Sequence, residues 1–137
     1  MVPNLQPLIF VVDDDRFYLK MIEQQLKSVG YSRLLTFTTG NGCINNLHLM
    51  PDIILLNYHL RETTGIEVLK EIKLHNQNTY VFFLSAQEEI DVAINSIKHG
   101  AFGYVVKDEH AFGNILEEIK GIMDFSEFAI IEVVYIS

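Results

Sequence analysis

The sequence predicts an α/β fold: a five-stranded parallel sheet with five helices on both faces. Three observations carry that expectation. Compact apolar runs alternate five times with stretches of helical periodicity. The connections between them are short, as right-handed crossovers in a parallel sheet allow. Four of the runs end in polar or charged residues: Asp13 and Asp14, Asn57, Ser85 and Lys107. In a parallel sheet these carboxyl ends share one edge, where ligands collect.

Leu8 to Val12 (LIFVV) is an uninterrupted, β-branched run and reads as a strand buried on both faces. Asp15 is placed to cap a helix carrying Leu19, Ile22, Leu26 and Val29, and Gly30 to end it. Leu34 to Thr38 reads as a second strand. Asn41 to Leu49 reads as a weaker helix, with Gly40 and Gly42 flanking its start. Pro51-Asp52 breaks the chain before the central strand, Ile53 to Leu56. A third helix runs from Thr64 to about Leu74; Thr64-x-x-Glu67 has capping-box spacing, and Ile66, Leu69 and Ile72 face inward.

Tyr80 to Leu84 (YVFFL) is the fourth strand, and Ser85-x-x-Glu88 again has capping-box spacing. Ile90, Ala93, Ile94 and Ile97 form the apolar stripe of the fourth helix, which His99-Gly100 ends. Phe102 to Val106 is the fifth strand. Phe112, Ile115, Leu116, Ile119 and Met123 give the fifth helix its stripe. The domain is expected over residues 7–124. The tail, residues 125–137 (FSEFAIIEVVYIS from Phe125), is strongly apolar and reads as a sixth strand, an extension of the last helix or a partner-binding segment. A second copy of the chain is its first candidate partner.

The 137 residues fit one domain with a sizeable core, and 49% hydrophobic with 20% charged residues is a globular composition. A net charge of -8 argues against non-specific binding to nucleic acid or an anionic membrane. Cys43 is the single cysteine, which excludes an intrachain disulfide or a thiolate cluster and fits a reduced cytoplasmic setting. The start has no signal-peptide pattern, no run is long enough to span a membrane, and nothing after Asp124 is basic enough for a DNA-binding effector. No Walker loop or G-x-G-x-x-G is present. The five histidines lack metal-ligand spacing at i and i+4.

Each residue at the sheet edge also has a structural reading. Asp13 and Asp14 can cap the first helix, Ser85 the fourth. Lys107 can be a solvated loop charge, Tyr104 an ordinary strand aromatic and Asn57 a turn former. Together, two acids, a hydroxyl and an ammonium around one central polar residue make a site.

VVDDD (Val11 to Asp15), PDIILLNYHL (Pro51 to Leu60), Gly65, FLSA (Phe83 to Ala86) and GAFGYVVKD (Gly100 to Asp108) resemble the response-regulator receiver domain of two-component signalling, over roughly residues 7 to 124. The resemblance implies a flavodoxin-like sheet of order 2-1-3-4-5 and a signalling module rather than an enzyme. It implies that Asp13 and Asp14 hold Mg²⁺ with the backbone carbonyl of His59, and that Ser85 is the switch hydroxyl. By the same resemblance Lys107 pairs with the phosphoryl group and Tyr104 is the switch aromatic. Asn57 stands at the phosphoacceptor position as a further metal ligand. It also implies a sensor histidine kinase or phosphotransfer protein upstream and a protein target downstream. That target would dock on the fourth helix, fifth strand and fifth helix.

The departures are Asn57 for aspartate, Arg61 where many receivers have proline, Thr64 before Gly65 where an acid is common, and Asp108 where proline is common. An amide is a poor nucleophile and brings no charge, so the expectation is no ordinary acyl phosphate at residue 57 and weakened Mg²⁺ binding. Two other readings stand beside it: an ordinary phosphorylation switch carrying an engineered Asn57, and a flavodoxin-like ligand binder.

Overall fold

The computed structural model describes residues 6–86 and 89–136, and the side-chain surroundings of all of these but residues 90 and 125–136. Two compact units divide at Lys107 and Asp108. The first holds all five strands: β1 (Ile9–Val12), β2 (Leu34–Phe37), β3 (Ile53–Asn57), β4 (Tyr80–Ser85) and β5 (Gly103–Val106). They pair in parallel in the order β2-β1-β3-β4-β5.

β1 and β3 are buried at every position, as their continuous apolar runs require when both faces are covered. Phe10, Val12, Ile54, Leu56, Val81 and Phe83 point to one face. They form a core there with Cys43, Leu47 and the Ile66, Val68, Leu69 and Ile72 stripe of α3 (Gly65–His75). The alternate residues, Ile9, Val11, Ile53, Leu55, Phe82 and Leu84, are buried on the other face. There α1 (Arg16–Ser28) lies against β1 and β2 with Leu19, Ile22 and Leu26 buried.

The helix ends follow their capping residues. The Asp15 carboxylate accepts the Phe17 and Tyr18 N–H groups at the start of α1, and Gly30 takes φ +103° just beyond its end. Thr64 Oγ1 accepts the Glu67 N–H of α3 at 3.2 Å. Gly100 turns the chain at φ +101° after α4 (Ile90–Lys98).

Three expectations are corrected and a fourth is narrowed. The weak second helix is only α2 (Gly40–Ile44), capped by Thr39, followed by a 3₁₀ turn at Leu47–Leu49. Asn46 turns its side chain back onto the Gly42 carbonyl at 2.8 Å, a local bond that competes with the helical ladder. Ser85 is the last residue of β4 and does not cap α4, whose N-cap is Glu89. In the apolar stripe of α4, Ile94 and Ile97 are each 51% exposed and so do not face the core, whereas Ser96 is buried, its hydroxyl bonded to the Val92 carbonyl. Of the three forms expected for the tail, the structure has the extension of the last helix and not the sixth strand: α5 runs from Ala111 to Ile136 as one helix. In α5, Ile115 and Ile119 are buried as expected, with Ala111 and Ile122, whereas Phe112, Leu116 and Met123 are half-buried.

Candidate functional site

Parallel register brings the polar strand ends together. Val12 pairs with Leu56 and Asn57 with Leu84, so Asp13, Asn57 and Ser85 follow one another across the sheet edge. The Lys107 N–H donates to the Ser85 carbonyl at 2.7 Å, which draws the end of β5 to the same place. Asp13, Asn57 and Ser85 are all buried.

Asp13 has no exposed surface. One carboxylate oxygen receives the Lys107 ammonium at 2.6 Å; the other accepts the Asp15 N–H at 2.9 Å. Burial is the largest influence on this acid and raises its pKa above the ordinary value. The Lys107 and Asp15 hydrogen bonds and the Lys107 charge pull it down, and the Asp14 charge pushes it up. Desolvation outweighs even a short ion pair here. Asp14 is more open and takes Arg61 Nε at 3.4 Å, a partly solvated pair of small energetic weight.

Asn57 is the hub. Its Nδ2 donates to the His59 carbonyl at 2.9 Å, and lies 3.3 Å from Asp13 Oδ1 and 3.3 Å from Asp14 Oδ1. Two amide hydrogens face three acceptors. The one short and two equal longer contacts match one N–H aimed at His59 and one shared between the acids. This network also fixes the amide's orientation, since the reverse would aim Oδ1 at three oxygens.

Tyr104 is half-buried and packs against the core beside Phe83, its partner across β4 and β5. The structure therefore brings Asp13, Asp14, Asn57, the His59 carbonyl, Ser85 and Lys107 to one sheet edge; the His59 ring faces outward, 4.0 Å from Glu89. Sequence reasoning missed Tyr18, whose ring lies 4.4 Å from the Lys107 ammonium. Its spacing four residues before Ile22, on the inward face of α1, was the available signal. Arg61 was legible only as a departure and not as the partner of Asp14.

A match to the response regulator receiver domain spans residues 9–120. The chain belongs to that family. It is 32% identical over 103 residues to the regulatory protein AtoC of Escherichia coli, covering 72% of this chain and 22% of AtoC. It is 30% identical over 102 residues to the cell cycle transcriptional regulator CtrA of Caulobacter vibrioides, covering 74% and 44%. This receiver thus spans less than half the length of either relative. Among solved structures, the response regulator DrrB of Thermotoga maritima superposes with a TM-score of 0.78 at 25% identity, over 89% of this chain and 54% of that one. The BeF3-activated DrrB receiver domain gives 0.78 at 27% identity, over 88% and 99%.

Receiver domains typically bind Mg²⁺ at an acidic site of this kind. Mg²⁺ demands oxygen ligands in near-octahedral array at about 2.1 Å. Here the three oxygens converge instead on the hydrogens of an amide. As arranged, the donor set does not fit a divalent cation, and among the described residues no group of three acids, histidines or cysteines gathers elsewhere.

Proposed function

We propose that this receiver is a signalling module of a two-component phosphorelay that works by protein–protein contact without acyl-phosphate formation at residue 57. The carboxamide of Asn57 at the carboxyl end of β3 carries the reading. Phosphoryl transfer to this position needs a carboxylate nucleophile, and Asn57 Nδ2 is committed to three acceptors. In the family's roles, Asp13, Asp14 and the His59 carbonyl are the metal side of the pocket. Ser85 and Lys107 are its phosphate side, and Tyr104 is the switch aromatic. With Asn57 in place, Mg²⁺ binding is weakened relative to an aspartate version, enough that millimolar Mg²⁺ leaves the pocket as it is.

The upstream partner is a sensor histidine kinase or phosphotransfer protein, the downstream partner a protein target in the cytoplasm. The receiver, residues 7–124, makes no direct contact with nucleic acid or membrane, and the 125–137 tail serves contact, including with a second copy. Ile94 and Ile97 of α4 and Phe102 before β5, each about half exposed, support a contact surface there.

Incubation with a small-molecule phosphodonor and Mg²⁺, followed by intact mass, tests the reading. The expected result is no adduct on the Asn57 chain and one phosphate on Asn57→Asp, mapped to residue 57. A stoichiometric phosphate at Asn57 itself would overturn it.

A further inference from the structure

The pocket is charge-balanced and hydrogen-bonded from within. Asp13 has the Lys107 ammonium at 2.6 Å, and Asp14 has the Arg61 guanidinium at 3.4 Å. The remaining oxygen of each acid, and the His59 carbonyl, meet the Asn57 NH2 group. Two acids thus face two cations, and the three oxygens that would otherwise need a common electrophile already share one. Tyr18 adds a wall, holding the Lys107 ammonium between its ring and Asp13.

We propose that the Asn57 carboxamide replaces the divalent cation structurally. Its NH2 group gathers Asp13, Asp14 and the His59 carbonyl, so this receiver keeps an assembled pocket without metal. The β3–α3 loop is tied into the same arrangement. The His59 carbonyl is held by Asn57, His59 bridges to Thr64, and the Gly65 N–H donates to the Tyr58 carbonyl at 2.9 Å. Carboxamide and cation compete for one point. A metal can enter only if the amide rotates to offer Oδ1, which forfeits all three contacts. An aspartate at 57 reverses the balance, because a third carboxylate beside Asp13 and Asp14 repels both until a cation binds.

This goes beyond the absence of phosphorylation and fails separately from it: a pocket that responds to Mg²⁺ and still takes no phosphate would refute only the present proposal. Thermal unfolding of the Asn57 chain and of Asn57→Asp is measured in millimolar MgCl2 and in EDTA. The Asn57 chain is expected to melt at the same temperature in both. Asn57→Asp is expected to melt about 5 °C or more lower in EDTA and to regain stability with Mg²⁺, because a ligand of the native state alone stabilises by mass action. NMR of the Asn57 chain supplies the second measurement, independent of any variant. The Asn57 side-chain NH2 signals are expected to exchange slowly with solvent and to keep their shifts on addition of Mg²⁺. A Mg²⁺-dependent rise in the Asn57 chain's melting temperature, or Asn57 NH2 signals that move with Mg²⁺, would overturn the proposal.

Discussion

Replacing Lys107 with methionine removes a charge from the pocket while keeping most of the side-chain volume. Asp13 is then left with the Asp15 N–H at 2.9 Å and its share of the Asn57 amide at 3.3 Å, with no exposed surface of its own. Breaking a buried pair from one side costs about 3–5 kcal/mol when the remaining charge has no escape. Asp13 has one: it can take up a proton. Between an unfolded carboxyl near 3.9 and pH 7 that costs at most ~4 kcal/mol, at 1.36 kcal/mol per pH unit, and at pH 5 only ~1.5 kcal/mol. The sign follows from the raised folded-state pKa. Burial already lifts Asp13 above its unfolded value, and losing Lys107 lifts it further. Stability tied to this group is full below the unfolded pKa and is lost as pH rises through the folded one. Lys107→Met should therefore lose about 3 kcal/mol at pH 7 and about half that at pH 5, measured by urea unfolding followed by circular dichroism. Adding Asp13→Asn should abolish the extra pH dependence. A loss of the same size at both pH values, or one below ~1 kcal/mol at pH 7, would refute the placing of a buried charge at Asp13.

Other perturbations probe separate parts of the structure. Gly65→Ala should cost about 1–3 kcal/mol in urea unfolding, because a Cβ there would stand 2.6 Å from Phe83 Cε1 and 2.9 Å from the Tyr58 carbonyl oxygen, neither of which can yield cheaply. Tyr18→Leu should cost about 0.5–2 kcal/mol through its contact with the Lys107 ammonium. In a double-mutant cycle that cost should shrink when Lys107 is already methionine. Cys43 has no exposed surface and its thiol is pushed up to about 12 by burial, so alkylation at pH 8 should be negligible in the native state and accelerate in step with unfolding by urea.

The legible parts of this chain are those where one physical rule dominates. Ile53 to Leu56 is too short and too uniformly apolar to be anything but a strand buried on both faces, and Asp15, Gly30 and Thr64 act within a few residues of themselves. The strand ends then follow from parallel topology, which is why Asp13, Asn57, Ser85 and Lys107 were found together without knowledge of a single distance. Periodicity placed α4 as a helix but not the way its stripe faces, because a 3.6-residue apolar stripe states only that one face differs from the other. Ile94 and Ile97 lie outward while Ser96, satisfied by its own helix at Val92, lies inward.

What the sequence could not convey at Asn57 was direction. Composition at the strand end gives an amide, and an amide offers either an oxygen to a metal or two hydrogens to acceptors. The choice depends on how many oxygens already converge there, which is a property of three segments far apart in the chain: Asp13 and Asp14 after β1, and the His59 carbonyl in the β3–α3 loop. Without a metal, three convergent oxygens leave only the second orientation favourable, since unpaired buried acceptors and a misdirected amide oxygen would both be penalised. The substitution of nitrogen for oxygen at residue 57 therefore does more than remove a nucleophile. It converts a site that repels itself until a cation arrives into one that closes on its own side chains.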